Sequence, residues 1–174
     1  MSEHVVKMIE EEDVDSRILE LAKEIDEEYK GEEVFLVCVL RGAAFFACEL
    51  AKRITIPVTL DFMQVSSYGS GTRSTGEVKI VKDIDLSLRD KNVIIVEDIV
   101  DTGNTLSTLK AFFVQRKAKS VKICSLLDKP ERREVNVDID YVGFTIPDKF
   151  VVGYGLDYDQ KYRNLPYVGV VEFD

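Results

Sequence analysis

The chain has 174 residues, of which 45% are hydrophobic and 32% are charged, and its formal net charge is −9 at pH 7. This length and composition predict one globular domain with a full hydrophobic core. The acidic balance and the lack of a Lys/Arg block disfavour a nucleic-acid partner, and the lack of any apolar run of membrane-spanning length disfavours a membrane protein.

The ends of the chain and its cysteines favour a cytoplasmic protein. The first twelve residues are too acidic for a signal peptide. Cys38, Cys48 and Cys124 lie in apolar segments without metal-site spacing, so we expect small core residues in a reducing compartment. The one histidine, His4, lies where chain ends are often disordered, and catalysis by histidine is therefore not expected.

Apolar spacing predicts a helix over residues 18–29. The apolar run at residues 34–40 predicts a strand that ends at Arg41 and Gly42. A helix is predicted next, at residues 43–53. Backbone amides and Arg41 in this turn could hold pyrophosphate. An ordinary connection between a strand and a helix is the alternative, and the spacing alone does not decide between them.

Residues 58–65 alternate in polarity and predict a half-buried strand. The next segment, residues 66–77, is rich in Gly, Ser and Thr and predicts a flexible loop. Long loops inside compact domains are usually functional or disordered. An extended strand resumes at residues 78–81.

The chain is organised around residues 92–106, NVIIVEDIVDTGNTL. Its unbroken β-branched run predicts a buried parallel strand, and helical spacing begins at Leu106. The loop between them carries three carboxylates and a short polar run, namely Glu97, Asp98, Asp101, Thr102, Gly103, Asn104 and Thr105. Free amides at a helix start, a glycine that allows close approach and threonine hydroxyls together predict a phosphate site.

Two other interpretations fit parts of this loop. The run Asp101-Thr102-Gly103 matches the triplet of aspartic proteases, but that mechanism needs two facing aspartates and the chain has one copy. A solvated acidic loop that caps a helix is the second interpretation.

An apolar strand at residues 121–127 ends just before Lys129 and Pro130. Open α/β sheets bind ligands in the crevice at the carboxyl ends of their strands, which makes Lys129 a candidate binding residue. A surface lysine is the ordinary alternative. Short strands at residues 141–146 and 167–173 flank the sequence IPDKFVVGYGLDY at residues 146–158.

The central stretch resembles the phosphoribosyl-pyrophosphate signature of the type I phosphoribosyltransferases, and VEDIVDTGNTL resembles their hypoxanthine–guanine branch. The resemblance continues in order through Leu40-Arg41-Gly42, Ser67-Tyr68, Lys129, IPDKFVVGYGLDY and Arg163. It implies an α/β fold whose central, mostly parallel sheet is flanked by helices, with a small hood built from the chain ends. It further implies one domain over residues 1–174, a mobile lid at about residues 66–77, a non-proline cis bond in the Leu40-Arg41-Gly42 loop, and a homodimer or homotetramer.

The resemblance also implies an activity in purine salvage. Ribose 5-phosphate would pass from phosphoribosyl pyrophosphate to hypoxanthine or guanine, giving IMP or GMP plus pyrophosphate, with Mg²⁺ as cofactor. Glu97 and Asp98 would hold the ribose hydroxyls and one metal ion, and Asp157 a second. Arg163 would neutralise pyrophosphate beside the Arg41-Gly42 loop. The 5′-phosphate would be gripped by Asp101, Thr102, Gly103, Asn104 and Thr105, under a lid based at Ser67 and Tyr68.

The base would meet four further groups. Asp101 would be the catalytic residue at purine N7, acting by hydrogen bonding or by full proton transfer. Lys129 would donate to O6, Phe150 would stack on the ring, and the main chain of Val151 would contact the other edge. A xanthine- or adenine-using enzyme stays an alternative, with adenine disfavoured by Lys129. A regulator that keeps the site but binds RNA or DNA is another, disfavoured by the acidic charge.

Overall fold

The computed structural model of the chain describes residues 2–67 and 77–174. Within these ranges the helices and strands follow one another in an order typical of an α/β protein. They are β1 (Glu3–Ile9), α1 (Glu11–Glu28), β2 (Val34–Leu40), α2 (Ala44–Arg53), β3 (Val58–Ser67), β4 (Val78–Lys82), β5 (Asn92–Val100), α3 (Asn104–Gln115), β6 (Ser120–Asp128), a 3-10 helix (Pro130–Arg132), β7 (Tyr141–Thr145), β8 (Val151–Val152) and β9 (Val168–Phe173).

The main sheet has six strands in the order β4-β3-β2-β5-β6-β7. All its pairs are parallel except β3 with the edge strand β4. Strand β5 therefore lies between β2 and β6 and runs in the same direction as both. The carboxyl ends of these three strands meet at one edge of the sheet, the place where open α/β sheets bind ligands.

Helices cover both faces of this sheet, which explains the unbroken apolar runs in β2 and β5. One core cluster packs α1 and α2 against Leu36 and Ile94. A second packs Leu109 and Phe113 of α3 against Ile95. Neighbouring residues of β5 thus enter opposite cores. In the described ranges, the helices are too short or too polar to cross a membrane.

The predicted hood is confirmed as a three-stranded sheet in the order β1-β9-β8. Strand β1 pairs antiparallel with β9 from Glu3 opposite Phe173 to Ile9 opposite Val168, so the hood joins both chain ends. The disorder expected around His4 is wrong, because His4 lies in β1. Its ring nitrogens lie 3.5 Å from a carboxylate oxygen of Glu172 and 3.4 Å from one of Asp174.

Two further sequence-based expectations need correction. Strand β5 continues to Val100, so Glu97 and Asp98 lie on the strand rather than in the loop after it. The reason is that parallel pairing with β6 continues beyond the apolar run, with Glu97 opposite Ser125. All three cysteines lie in the described ranges and are free, but Cys48 is half-buried, unlike the two core cysteines.

Candidate active site

Three predicted groups converge where parallel strands end. Arg41 and Gly42 follow β2, Asp101 follows β5, and Lys129 follows β6. The amide of Lys129 donates to the carbonyl of Val100 over 3.0 Å, which ties the ends of β5 and β6 together. Two cavities open at this edge, of about 100 Å³ and about 480 Å³, and Asp101 lines both.

The smaller cavity, here called the loop cavity, lies at the turn from β5 to α3. Gly103, Thr105 and Leu106 line it, and α3 begins at Asn104. The first amides of a helix have no intrahelical partner, so they are available to an anion. Gly103 has φ of +88°, and a Cβ there would lie 2.9 Å from the carbonyl oxygen of Val135. Both the conformation and the crowding require glycine.

Hydrogen bonds from the segment after the 3-10 helix brace this loop. The carbonyl of Thr102 accepts from the amides of Glu134 and Val135 at 2.9 and 3.1 Å. The side chain of Asn104 donates to Glu134 over 3.0 Å, and its amide donates to the hydroxyl of Thr102 over 3.3 Å. The side chain of Asn104 is thus engaged in supporting the loop.

The larger cavity, here called the base cavity, has a charged side and an apolar side. Its lining comprises Ile99, Asp101, Lys129, Arg132, Asp148, Phe150, Val151, Leu156 and Asp157. Lys129 is only 8% exposed, and its Nζ lies 3.7 Å from Asp148 Oδ1. The surface-lysine interpretation is therefore wrong. A volume of this size with a few convergent polar groups is typical of small-molecule sites.

The hood positions the apolar side of the base cavity. Val151 pairs with Val170 of β9, and the carbonyl of Phe150 accepts from the amide of Val171 over 3.1 Å. Phe150 is 54% exposed, and its ring forms an edge-to-face pair with that of Tyr158, with centroids 5.5 Å apart and planes at 85°. Phe150 is thus an exposed aromatic residue whose backbone is held by the hood, which suits stacking on a planar ring.

Three segments meet beside β5 at the two glycines Gly42 and Gly155. A Cβ on Gly42 would overlap the carboxylate of Asp98, and a Cβ on Gly155 would overlap the carbonyl oxygen of Gly42. Gly155 has φ of +100°, which also favours glycine. The peptide bond between Leu40 and Arg41 is cis, as the resemblance implied.

Arg163 and Asp157 join the same region. One guanidinium nitrogen of Arg163 donates to the carbonyl of Gly155, and another lies 3.3 Å from Asp157 Oδ1. Asp157 Oδ2 accepts from the amide of Gln160 over 2.9 Å. Arg41 is exposed and donates to the side chain of Gln160 over 3.4 Å. The two arginines and Asp157 therefore share one neighbourhood with the turn after β2.

Two adjacent acidic residues, Glu97 and Asp98, lie half-buried near the end of β5. Burial raises the pKa of Glu97, and the charge of Asp98 raises it further. Burial also raises the pKa of Asp98 to about 6; the amide of Ile99 and the charge of Arg163 oppose this shift, and the charge of Asp157 adds to it. A divalent cation would relieve both the burial cost and the repulsion between these carboxylates.

The residues fit a magnesium ion in chemistry, although they do not form a complete cage. Carboxylate oxygens are the ligands that Mg²⁺ prefers, and Mg²⁺ usually takes one or two from the protein and the rest from water and substrate phosphates. Residues 2–67 and 77–174 contain no group of three or more His, Cys, Asp or Glu side chains arranged to hold a metal ion.

The structure places most of the predicted site residues together and adds two that the sequence interpretation missed. Arg132 and Asp148 line the base cavity beside Asp101 and Lys129. The sequence pattern that could have identified Arg132 is the group of three cationic residues within residues 129–133, directly after a strand. Ser67 ends β3. Tyr68 and the rest of the predicted lid, residues 68–76, lie outside the described residues.

Comparison with known proteins agrees with this geometry. A model of the Phosphoribosyl transferase domain matches residues 6–159. A hypoxanthine phosphoribosyltransferase from Salmonella typhimurium is 53% identical over 98% of this chain and 97% of its own, and a hypoxanthine-guanine phosphoribosyltransferase from Streptococcus thermophilus is 52% identical over 95% and 92%. The crystal structure of a hypoxanthine-guanine phosphoribosyltransferase from Bacillus anthracis is 46% identical, with a TM-score of 0.93 over 99% of this chain and 100% of that one. The chain therefore belongs to the phosphoribosyltransferase family and has its type I fold.

Proposed function

We propose that the protein transfers ribose 5-phosphate from phosphoribosyl pyrophosphate to N9 of hypoxanthine or guanine, giving IMP or GMP and pyrophosphate. The observation that carries the proposal is that Asp101 lines both the loop cavity and the base cavity. A phosphate in the first and a purine in the second would meet at one carboxylate. The names of the relatives from Salmonella and Streptococcus support the choice of base.

The loop cavity would hold the 5′-phosphate of the sugar. Main-chain amides at the start of α3 would donate to the phosphate oxygens, with the hydroxyls of Thr102 and Thr105 as further donors. Hydrogen bonds from the amides of Glu134 and Val135 hold this loop in shape, so little ordering of the loop is needed when the phosphate binds. Holding the sugar at a fixed place beside the base supplies proximity, a large part of the rate enhancement for two-substrate reactions.

The acidic side chains of β5 would hold the ribose hydroxyls. Glu97 and Asp98 would also hold one Mg²⁺ ion, and Asp157 would hold a second. The metal would supply positive charge that neutralises the pyrophosphate leaving group. Arg163 and Arg41 would face the pyrophosphate from the neighbouring segments. The main chain at Gly42 lies directly against the Asp98 carboxylate, because a glycine places no side chain between them.

The base cavity would select a 6-oxopurine. The ammonium of the buried Lys129 would donate to O6, and a 6-amino group would instead present donors to a buried cation. Phe150 would stack on the ring, and the main chain of Val151 would contact the opposite edge. Asp101 would accept a hydrogen bond from N7–H as positive charge develops on the base, with or without full proton transfer.

A base panel tests this proposal. Pyrophosphate release is measured with phosphoribosyl pyrophosphate, Mg²⁺ and, in turn, hypoxanthine, guanine, xanthine and adenine. We expect release with hypoxanthine or guanine, little with adenine, and none in excess chelator. If adenine is used as well as or better than hypoxanthine and guanine, the assignment of the base is contradicted. If full activity persists in chelator, the assignment of the metal is contradicted. Pyrophosphate release with xanthine shows how strictly the site selects the substituent at the 2-position of the purine.

Two parts of the family resemblance stay predictions. Residues 66–77 are expected to act as a lid over the reacting groups, because water would compete with the purine for an activated sugar. A homodimer or homotetramer is expected, and light scattering coupled to size-exclusion chromatography measures the mass that distinguishes them.

A further inference from the structure

Four charged side chains form a continuous row along the base cavity. Arg132 Nε lies 3.3 Å from Asp101 Oδ1, and its Nη1 lies 3.9 Å from Asp148 Oδ2. The other oxygen of Asp148 lies 3.7 Å from the ammonium of Lys129. Arg132 thus stands between two carboxylates, and Asp148 stands between two cations. The row connects the residue that would recognise O6 to the residue that would face N7.

The two oxygens of Asp101 have different surroundings. Its side chain is 44% exposed, yet Oδ1 itself is buried and, among the described residues, accepts no hydrogen bond of good geometry. The exposed part of the carboxylate therefore lies on the side of Oδ2, while Oδ1 faces inward toward Arg132. Catalytic contacts are often long in ligand-free enzymes and tighten in the complex.

We propose that Arg132 is a positioning residue that fixes the orientation of the Asp101 carboxylate, and that Asp148 holds Arg132 in place. The torsion that rotates a carboxylate is broad, so an aspartate on a loop does not orient itself. An ion pair to the inward oxygen would leave the outward oxygen directed at the base. The inference rests on the proposed function, because it deepens the role given there to Asp101.

Local structure supports a fixed Arg132. It ends the 3-10 helix, where its amide donates to the carbonyl of Lys129 over 3.2 Å. The next residue, Arg133, is anchored by its ion pair with Asp128 at the end of β6. The backbone that carries Arg132 is therefore attached to the same strand end as Lys129.

The experiment compares Arg132→Gln, Arg132→Lys, Asp148→Asn and the control Arg116→Gln in the full chain. Arg116 forms a comparable ion pair with Asp83 at 2.7 Å, away from both cavities. With hypoxanthine, Arg132→Gln should lower kcat by about 10-fold, the effect of a lost charged contact, and leave KM for phosphoribosyl pyrophosphate unchanged. The fall in kcat should be smaller in Arg132→Lys, which keeps the charge, and smaller in Asp148→Asn than in Arg132→Gln. The control should keep the kcat of the parent.

A double-mutant cycle separates positioning from general support. In the Asp101→Asn background, Arg132→Gln should cause almost no further loss, because the group that it orients is already altered. An unchanged kcat in Arg132→Gln, or the same loss in both backgrounds, would overturn the inference. If Arg132→Gln does not fold, the same comparison with Arg132→Lys decides. Failure of the parent enzyme to transfer to any purine would overturn the proposed function instead.

Discussion

The carboxylate of Asp98 occupies the space that a side chain at residue 42 would need. Contact with Asp98, and not the shape of the turn, therefore requires glycine at this position. This contact brings the loop after β2 against the acidic end of β5. The pyrophosphate side and the ribose side of the proposed site are thereby held at one distance from each other.

Gly42→Ala should disrupt this spacing. The new methyl group would force Asp98 or the loop to move, and displacements of about 1 Å in a site can cost about 10²-fold in rate. We expect a fall of that order in kcat/KM for phosphoribosyl pyrophosphate. Gly31→Ala is the control, because Gly31 has φ of +82° with nothing within 4 Å of a Cβ. It should lose stability but not activity, and unchanged kinetics in Gly42→Ala would contradict the contact.

Asp101→Asn keeps the shape of the side chain but removes its charge. If Asp101 stabilises the positive charge that develops on the base, kcat should fall by about 10²-fold, the lower end for a lost acid–base group. Binding of phosphoribosyl pyrophosphate, measured by calorimetry, should change little. The assignment fails if kcat is unchanged while single-turnover measurements show that chemistry limits the rate.

Asp98 predicts a pH dependence of stability in the absence of metal. Burial raises its pKa to about 6 in the folded chain, whereas an unfolded aspartate titrates near pH ~4. Between these values the native state binds more protons, so this group makes the free energy of unfolding fall as pH rises. Asp98→Asn removes that contribution. In urea titrations with chelator, the free energy of unfolding of the variant should rise relative to that of the parent from acid to neutral pH. If the two free energies follow parallel curves against pH, the raised pKa of Asp98 is contradicted.

The sequence predicted the parts of the fold and site that depend on local pattern or on strand order. β2 and β5 were evident because strands buried on both faces have continuous apolar runs. Arg41 and Lys129 were candidates because they follow strands, and Asp101 because it lies in the acidic loop before a helix. The family resemblance was needed to favour binding roles over the ordinary alternatives. Partners distant in sequence were not evident: β1 forms only by pairing with β9 at the other end of the chain. For the same reason the place of Arg132 beside Asp101 became visible only in the folded chain.

The most direct test of the account is the preference for hypoxanthine over adenine in the parent and in Lys129→Gln. The substitution removes the buried charge and offers both a donor and an acceptor. Efficiency with hypoxanthine should fall by roughly 10- to 100-fold, the effect of a lost charged hydrogen bond, and discrimination against adenine should narrow with it. A variant that keeps the parent's ratio of kcat/KM values for the two bases would show that Lys129 does not recognise the purine.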